Sequence, residues 1–329
     1  MSVSASPPSL SIAAIRLGAM GDILHALPAV SSLKHSFPES RLTWIVAPKW
    51  APLLEGNPHV DNILPFDRRN WKYFLPAIRT LNRLKPALAV DFQGLIQSAI
   101  TGRLAMPGTF IGFASERARE PLAAKFYSRT VQPRAPHIVD QNLELAVAAG
   151  ATVKTVEFPI PPGRPEGDLP NEAFVLTSPF AGWSSKQWPF QNYAILAAEL
   201  RSHGLTLVVN VSPDRAAEFT AIPNLVVHVS SLAGLIDATR RATAVVGLDS
   251  GPLHLAAALG KPGVGLYGPT EPARNGPYGG TIRVLRSANA ETTYKRGAEI
   301  HPSMRAICVE SVVEALMLSI ATAARVSRQ

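Results

Sequence analysis

The sequence predicts an α/β fold made of two doubly wound parallel sheets. Short apolar segments alternate with amphipathic segments in the first half of the chain, and the same alternation restarts after residue 170. This alternation is typical of parallel sheets covered by helices. Residues 158–170 contain five prolines and two glycines, a composition that indicates a stiff linker. We therefore expect domains at residues 1–160 and 171–329, a linker at 161–170, and a central cleft that both domains face.

In the first half, each predicted strand is a short apolar run bounded by turn residues. These strands are expected at Ile12–Leu17, Thr43–Ala47, Ile63–Phe66 and Ala87–Phe92. The segments between and after them carry apolar residues at helical spacing. Helices are therefore expected at Asp22–Ser36, Trp71–Leu84, Gln97–Ala105 and Ile138–Ala149.

The second half repeats the pattern by the same two criteria. Strands are expected at Phe174–Thr177, Leu205–Val211, Leu225–Val229, Ala244–Leu248, Val264–Leu266 and Ile282–Leu285. Helices are expected at Asn192–His203, Leu232–Arg241, Leu253–Leu259 and Glu310–Arg325. The last of these helices is amphipathic, and we expect it to pack back on the first domain.

The composition is that of a globular protein, with 47% hydrophobic and 17% charged residues among 329. The single cysteine, Cys308, excludes an internal disulfide and a thiolate metal cluster. The eight histidines show no metal-ligand spacing, so the sequence predicts no metal site. We find neither a secretory signal nor an apolar run of the ~20 residues that a membrane-spanning helix needs. A cytoplasmic protein is expected.

The positive charge is concentrated in the first half of the chain. Residues 1–165 hold 18 Lys+Arg against 11 Asp+Glu, whereas residues 166–329 hold 14 against 13. A one-sided basic field favours an anionic partner or an anionic membrane surface. Nucleic acid is not expected, because no zinc-finger or RNP pattern is present. The alternative is an ordinary solvated surface.

Residues 249–270 form the most informative segment of the chain. A short apolar run is followed by Asp249-Ser-Gly-Pro-Leu-His254 and then by a run of small residues, which predicts a strand, a tight turn and a helix. Ser250 is expected to cap this helix, and Pro252 suits its first turn. A helix N-terminus offers free N–H groups and a positive dipole end, so it favours phosphate. The alternative is an ordinary strand-to-helix connection.

Two further loops follow predicted strands, where ligands of α/β folds gather. Gly18-Ala-Met-Gly-Asp22 ends the first strand, and Asp22 is a candidate general base there, or else a helix cap. This loop lacks the spacing of a dinucleotide or P-loop fingerprint. Gly182-Trp-Ser-Ser-Lys186 precedes a helix, and Lys186 can place a positive charge on a phosphate. The alternative for this second loop is an exposed helix-start turn.

Two arginine clusters are candidate anion sites. Asp67-Arg-Arg-Asn-Trp-Lys72 follows the third predicted strand, and Arg117 and Arg119 form a second group. Arginine suits bidentate contacts with phosphate or carboxylate. Either cluster is alternatively an ion-paired surface.

Taken together, these motifs make the chain resemble glycosyltransferase family 9, the bacterial heptosyltransferases. The resemblance runs from about Ile12 to the final helix. It rests on the blocks Gly21–Pro28, Asp91–Leu95 with Ser98-Ala99, Arg119–Ala123, Lys186-Gln-Trp-Pro189 and Asp249–Thr270. It implies a GT-B fold with two Rossmann-like domains, the first binding the acceptor and the second the nucleotide sugar.

The resemblance also implies an activity and its partners. The activity is inverting, metal-independent transfer of heptose from ADP-heptose to a Kdo sugar of the lipopolysaccharide inner core, without a cofactor. The acceptor is of the Kdo-lipid A type, and the enzyme is expected to be peripheral to the inner membrane. Another family 9 transferase with a different acceptor remains open, as does a non-catalytic polyanion-binding protein.

Residue roles follow from the same resemblance. Asp22 is the base that deprotonates the acceptor, and Lys186 is the second catalytic residue. The donor site comprises Ser184, Ser185, Lys186, Asp214, Ser230, Ser231, Leu232, Asp249, Ser250, Gly251 and His254. The acceptor site comprises Arg68, Arg69, Lys72, Gln93 and Arg119. The chain departs from the family at Ala181 and Gly182, where hydroxyl residues are frequent, and at Pro252.

Overall fold

The computed structural model describes residues 10–293 and 297–326. The chain divides into two compact units, Met1–Pro161 and Pro162–Gln329. The division falls at the start of the predicted linker. Residues 151–173 contain neither helix nor strand.

The first unit holds one six-stranded sheet, and all its strand pairs are parallel. Its strands are β1 Ser11–Ile15, β2 Arg41–Val46, β3 Asn62–Pro65, β4 Leu88–Asp91, β5 Thr109–Phe113 and β6 Arg129–Val131. Its helices are α1 Met20–Ser36, α2 Trp71–Leu84, α3 Ile96–Leu104 and α4 Ile138–Ala148, with 3-10 turns at Pro48–Leu53 and Pro121–Phe126. β1 and β4 lie buried in the middle, which explains their nearly continuous apolar sequences.

The second unit repeats this architecture in six parallel strands. They are β7 Phe174–Ser178, β8 Thr206–Val211, β9 Leu225–Val229, β10 Ala244–Leu248, β11 Gly263–Tyr267 and β12 Ile282–Arg286. The helices are α5 Gln191–Ser202, α6 Leu232–Arg241, α7 Gly251–Ala258, α8 Pro272–Asn275, α9 Pro302–Arg305 and α10 Val309–Val326, with 3-10 turns at Ser184–Lys186 and Pro213–Glu218.

Both sheets have the same strand order. The first runs β3-β2-β1-β4-β5-β6, and the second runs β9-β8-β7-β10-β11-β12 when read in the same direction. This is the dinucleotide-fold order, in which ligands bind beyond the carboxyl ends of the strands where the order reverses. The reversal lies between β1 and β4 in the first unit, and between β7 and β10 in the second.

Two strands of the first sheet were not expected from the sequence. β6 is a three-residue edge strand with a charged residue, and so it carries little apolar signal. β5 contains Gly112, which weakens the strand pattern. Gly112 is needed because the Tyr127 ring occupies the space that a side chain at this position would fill.

The last helix packs on the sheet of its own unit. α10 lies against β10, β11, β12 and α5, and it contributes Val312 and Leu316 to the hydrophobic core of the second unit. Its packing on the first unit stays a prediction. None of the helices within the described ranges is long and apolar enough to span a membrane.

Candidate active site

Asp22 lies in the first turn of α1, directly after the loop that ends β1. Its Oδ2 accepts a hydrogen bond from the backbone N–H of Ala19 at 3.1 Å. The same oxygen lies 2.7 Å from Arg16 Nη2 and 3.4 Å from Arg119 Nη1. Burial by itself raises the pKa of the Asp22 carboxyl, but the two guanidinium groups outweigh burial and hold this pKa below its ordinary value. Asp22 is therefore ionised at neutral pH.

Arg16 is a site residue that sequence reasoning missed. Its side chain is 4% exposed, and its Nη1 donates a hydrogen bond to the carbonyl oxygen of Phe92 just beyond β4. A cation this deeply buried needs a partner, and Asp22 is that partner. The available signal was the lone arginine between Ile15 and Leu17 at the end of an apolar strand.

Arg119 reaches Asp22 because its loop is fastened to the start of α3. The Glu120 backbone N–H donates to the Gly94 carbonyl at 2.9 Å, and the Glu120 carboxylate accepts from the Ile96 N–H at 2.6 Å. Gly94 has a φ of +66°, and a Cβ there would lie 3.3 Å from the Arg119 backbone nitrogen. Glycine therefore permits both the turn and the close approach.

Asp91 is the buried centre of the block at residues 91–99. The carboxylate is fully buried, and its Oδ2 accepts hydrogen bonds from Tyr127 Oη and Ser98 Oγ, each at 2.7 Å. Burial raises the pKa of the Asp91 carboxyl. Gln93 Oε1 accepts from the Leu17 backbone N–H at 2.7 Å, which connects the loop after β4 to the loop after β1. This block thus fixes the shape of the site around Asp22.

A cavity of about 600 Å³ lies beside the loop after β1, and all the residues that line it belong to the first unit. Three of the predicted acceptor residues, Arg68, Arg69 and Gln93, line it, and their contacts with an acceptor stay predictions. Lys72 is exposed in the first turn of α2 and, like Arg119, is not among the lining residues. The full lining is Leu17, Gly18, Ala19, Ala47, Pro48, Lys49, Trp50, Phe66, Asp67, Arg68, Arg69, Tyr73, Gln93 and Gln97.

The predicted acceptor residues Arg68, Arg69 and Lys72, of which the first two line the cavity, form no ion pairs among the described residues. Within residues 10–293 and 297–326, no carboxylate lies within 4.0 Å of the charged groups of Arg68, Arg69 or Lys72. Asp67 instead accepts from the backbone N–H of Arg69 at 2.9 Å. Sequence reasoning missed Lys49, whose ammonium lies 4.6 Å from the Trp50 ring centroid.

In the second unit, the partly buried Lys186 forms a group with the buried Asp249 and His254. Lys186 Nζ lies 2.5 Å from Asp249 Oδ2, and His254 Nε2 lies 3.6 Å from Asp249 Oδ1. Burial alone raises the pKa of the Asp249 carboxyl, but His254 and Lys186 outweigh it and hold this pKa far below its usual value. The Lys186 ammonium also lies 4.3 Å from the Trp183 ring centroid.

Four hydroxyl groups near the same sheet edge are buried and lack a hydrogen-bond partner among the residues described. Ser178 ends β7, Ser185 lies in the following 3-10 turn, Ser250 follows β10 and Thr270 follows β11. β7, β10 and β11 are neighbouring parallel strands, so their carboxyl ends share one edge. A buried hydroxyl without a partner costs free energy, and a ligand with several acceptor oxygens would satisfy such a group.

The expected capping role of Ser250 is wrong. Ser250 occupies the N-cap position of α7, but its side chain makes no cap hydrogen bond. Its hydroxyl is instead one of the four without a partner. The N-terminus at Gly251 therefore has no side-chain cap from Ser250, which leaves its N–H groups available to an anion.

The remaining predicted donor residues lie around the same sheet. Ser184 begins the 3-10 turn that carries Lys186. Asp214 is exposed in the 3-10 turn after β8. The chain at Ser230 to Leu232 joins β9 to α6: Ser230 Oγ accepts from Asn210 at 2.9 Å, Ser231 caps α6 and donates to Glu166 at 2.8 Å, and Leu232 is the first helical residue. Their contacts with the nucleotide stay predictions.

Comparisons with known proteins give one family and one fold. Residues 77–302 match the family model Glycosyltransferase family 9 (heptosyltransferase). The chain is 28% identical over 296 residues to lipopolysaccharide heptosyltransferase 1 of Pseudomonas aeruginosa PAO1, covering 80% of each. It is 25% identical over 281 residues to lipopolysaccharide heptosyltransferase 3 of Escherichia coli, covering 76% of this chain and 81% of that one. The solved E. coli heptosyltransferase WaaC with ADP matches with a TM-score of 0.75 and 24% identity, over 94% of this chain and 100% of that one. The expected GT-B class, with two Rossmann-like units, is confirmed.

Proposed function

Because the chain belongs to glycosyltransferase family 9, the heptosyltransferases, we propose that it transfers heptose from ADP-heptose to a Kdo sugar of the lipopolysaccharide inner core. It is a glycosyltransferase, and we assign it the heptosyltransferase I reaction. The first unit binds the acceptor and the second binds the donor. The observation that carries the donor assignment is the partly buried Lys186–Asp249 pair beside buried hydroxyls that have no hydrogen-bond partner in the described part of the chain.

The donor chemistry follows from this charge arrangement. When the bond between the anomeric carbon and the diphosphate breaks, positive charge grows on the sugar and negative charge on the departing ADP. Lys186 and the N–H groups at the start of α7 stabilise the diphosphate, and no metal ion is needed in this proposal. Asp249 fixes the Lys186 ammonium, since the two groups are 2.5 Å apart.

The acceptor chemistry is assigned to Asp22. The acceptor hydroxyl oxygen forms a bond to the anomeric carbon from the face opposite the leaving group, and its proton passes to the Asp22 carboxylate. Inversion at that carbon follows from this single displacement.

Arg119 links acceptor binding to the strength of this base. It is half-exposed and only 3.4 Å from Asp22, whereas Arg16 is buried and 2.7 Å away. An anionic acceptor competes with Asp22 for Arg119. Loss of this one cation raises the pKa of Asp22 and makes the carboxylate a better base at the time when the acceptor is bound.

The decisive test is the reaction itself. The protein is incubated with ADP-heptose and Kdo-lipid A, and the product should gain the mass of one heptose. A parallel reaction uses an acceptor that already carries one heptose. Addition to this second acceptor alone would reassign the chain to a heptosyltransferase II or III reaction, a possibility favoured by its similarity to heptosyltransferase 3. No addition to either acceptor would contradict the proposed function.

The basic residues of the first unit are expected to set acceptor affinity. Replacing Arg68, Arg69 and Lys72 together with glutamine should raise the acceptor KM about tenfold, at ~0.5 kcal/mol per exposed charge contact. The donor KM should change little. The effect should shrink at high salt, because exposed charges are screened over ~8–10 Å at near-physiological ionic strength.

The matched control for this variant removes the same charge elsewhere on the same unit. Arg103, Lys125 and Arg134 are exposed and lie outside the cavity lining. Their replacement with glutamine should leave the acceptor KM unchanged. Steady-state kinetics at low and high salt measure the acceptor KM of both triple variants. If the two variants raise this KM equally, the effect comes from net charge in general, and the assignment of Arg68, Arg69 and Lys72 to the acceptor site is wrong.

We further propose that the protein works at the cytoplasmic surface of the inner membrane, held there by α2. Trp71 is 70% exposed and Leu75 49% exposed, four residues apart on one side of this helix. Lys72 and Arg79 are exposed near them. An exposed tryptophan beside cations suits the interface of an anionic bilayer, where each cation contributes about 1 kcal/mol.

Vesicle sedimentation tests this attachment. The protein should bind vesicles that contain phosphatidylglycerol more strongly than pure phosphatidylcholine vesicles, and a Trp71→Ala/Leu75→Ala variant should lose most of that binding. Val147→Ala/Leu318→Ala is the control, because these side chains are similarly exposed elsewhere, at 52% and 50%. Attachment through α2 is excluded if both double variants bind like the wild type.

A further inference from the structure

Three side chains from distant parts of the first unit meet at one point on its surface. His35 lies in the last turn of α1, His59 in the loop before β3, and Glu157 in the segment that leads out of the unit. His35 Nε2 lies 3.2 Å from each carboxylate oxygen of Glu157, and His59 Nε2 lies 3.1 Å from Oε2. The three ligand atoms lie within 4.8 Å of one another. We propose that His35, His59 and Glu157 bind one divalent transition-metal ion of the zinc type.

The donor set suits zinc. Two imidazoles and one carboxylate, with a fourth position left for water, are a common set of protein ligands for this ion. Metal–ligand distances of about 2.0–2.2 Å place the ligand atoms of a tetrahedral site about 3.3–3.6 Å apart. The observed nitrogen–oxygen distances of 3.1 and 3.2 Å are close to this spacing. Nitrogen and carboxylate ligands together favour zinc over magnesium or calcium, which prefer oxygen alone.

The backbone around the cluster is already held in place. Ser36 Oγ accepts from the backbone N–H groups of Thr152 and Val153, each at 2.9 Å, and Ser32 Oγ accepts from that of Thr155 at 3.0 Å. These hydrogen bonds hold residues 152–155 alongside α1. Thr155 Oγ1 then donates to Glu157 Oε1 at 2.9 Å, which orients the carboxylate as an outer-shell partner would.

The loop that carries His59 is joined to the same segment. Asn57 Oδ1 accepts from the His59 backbone N–H at 2.8 Å, while Asn57 Nδ2 donates to the Pro159 carbonyl at 3.1 Å. The centroids of the two imidazole rings lie 4.7 Å apart, and the ring planes are tilted by 56°. All three ligands are therefore positioned before a metal arrives, so little ordering entropy opposes binding.

The site is separate from the proposed reaction centre, because it lies at the opposite end of α1 from Asp22. Residues 22 and 35 are separated by about 20 Å of helix at 1.5 Å per residue. A metal here closes the chain between His35 and Glu157, a few residues before the unit ends at Pro161. It fastens the outgoing segment to α1, and heptose transfer should persist without it.

Metal titration of the full-length, tag-free protein tests the site directly. Zinc should bind with a stoichiometry of one in calorimetry, or in competition with a chromophoric chelator. Cobalt should give the intense visible bands of a four-coordinate ion. The Thr155→Val variant should bind zinc about 10–100-fold more weakly, as loss of an outer-shell partner typically does.

The ligand variants decide the assignment. His35→Ala, His59→Ala and Glu157→Gln should each weaken zinc binding more than Thr155→Val does, with a wild-type circular dichroism spectrum and cooperative thermal unfolding as evidence that the first unit stays folded. His203→Ala, an exposed histidine of the second unit, is the matched control and should bind zinc normally. The proposal is overturned if the wild type binds no stoichiometric metal, if His35→Ala/His59→Ala still binds one equivalent, or if His203→Ala loses as much affinity. The cluster would then be only a pair of histidine–carboxylate hydrogen bonds.

Discussion

Replacing Asp22 with alanine should slow heptose transfer by about 10²–10⁴-fold, the usual contribution of a general base. ADP binding should stay nearly unchanged, because the diphosphate residues belong to the other unit. Steady-state rates with ADP-heptose and Kdo-lipid A, together with calorimetric ADP binding, measure both quantities. A variant that keeps more than about a tenth of the wild-type rate would contradict the base assignment.

The Asp22 variant also removes the partner of a buried cation. Arg16 is 4% exposed on its side chain, and breaking a buried ion pair typically costs about 3–5 kcal/mol of stability. Asp22→Asn is therefore needed beside Asp22→Ala, because it keeps the shape and a hydrogen-bond acceptor for Arg16. Asp140→Asn is the matched control, since Asp140 occupies the first turn of α4 as Asp22 does that of α1. It should transfer heptose at the normal rate.

The pH dependence of the free enzyme follows from the sign of the Asp22 shift. Arg16 and Arg119 lower the pKa of Asp22, so its charged form persists below the pH range in which an ordinary aspartate protonates. The stability contributed by these pairs is present above the unfolded-state pKa and is lost only as the pH falls through the lowered folded-state pKa. Protonation of Asp22 in the free enzyme should therefore not limit kcat/KM between pH 5 and 8.

Local pattern predicted the regular part of the fold well. The helices Trp71–Leu84 and Leu232–Arg241 and the strands Leu225–Val229 and Ala244–Leu248 have the predicted bounds. These segments have clear periodicity and strong turn signals at their ends. β6 was missed because three residues at a sheet edge bury too little apolar surface to leave a pattern.

The site was predictable where its chemistry is local in sequence. Lys186 and Asp249 lie in the connections that follow β7 and β10, and Asp22 lies in the first turn of the helix that follows β1. The parallel-sheet rule alone directs attention to these places. The Lys186–Asp249 pair joins residues 63 positions apart, and the cluster of His35, His59 and Glu157 spans more than 120. No spacing rule covers such separations, because the distances depend on how the loops fold.

Lys186→Ala should weaken ADP-heptose binding and slow transfer by about 10²–10³-fold, the cost typical of losing one preorganised donor at a developing negative charge. Both quantities should change, since a cation on the diphosphate acts in the ground state and in the transition state. His254→Ala should act in the same direction, more weakly, because His254 lies 3.6 Å from Asp249 and supports the pair. Calorimetry with ADP and single-turnover kinetics measure the two effects separately.

The alternative is that Lys186 has a purely structural role. Its side chain is 15% exposed and pairs with a carboxylate that is 8% exposed, so the pair contributes to stability. Loss of the ammonium would then lower the melting temperature without changing ADP affinity in the protein that remains folded. Lys186→Ala/Asp249→Asn removes the uncompensated charge and should restore stability but not donor affinity. Lys261→Met is the matched control, because Lys261 lies just beyond the other end of α7 and its ammonium donates to the Ala242 carbonyl at 2.9 Å. If the double variant binds ADP as tightly as the wild type, the assignment of Lys186 to the donor site is wrong.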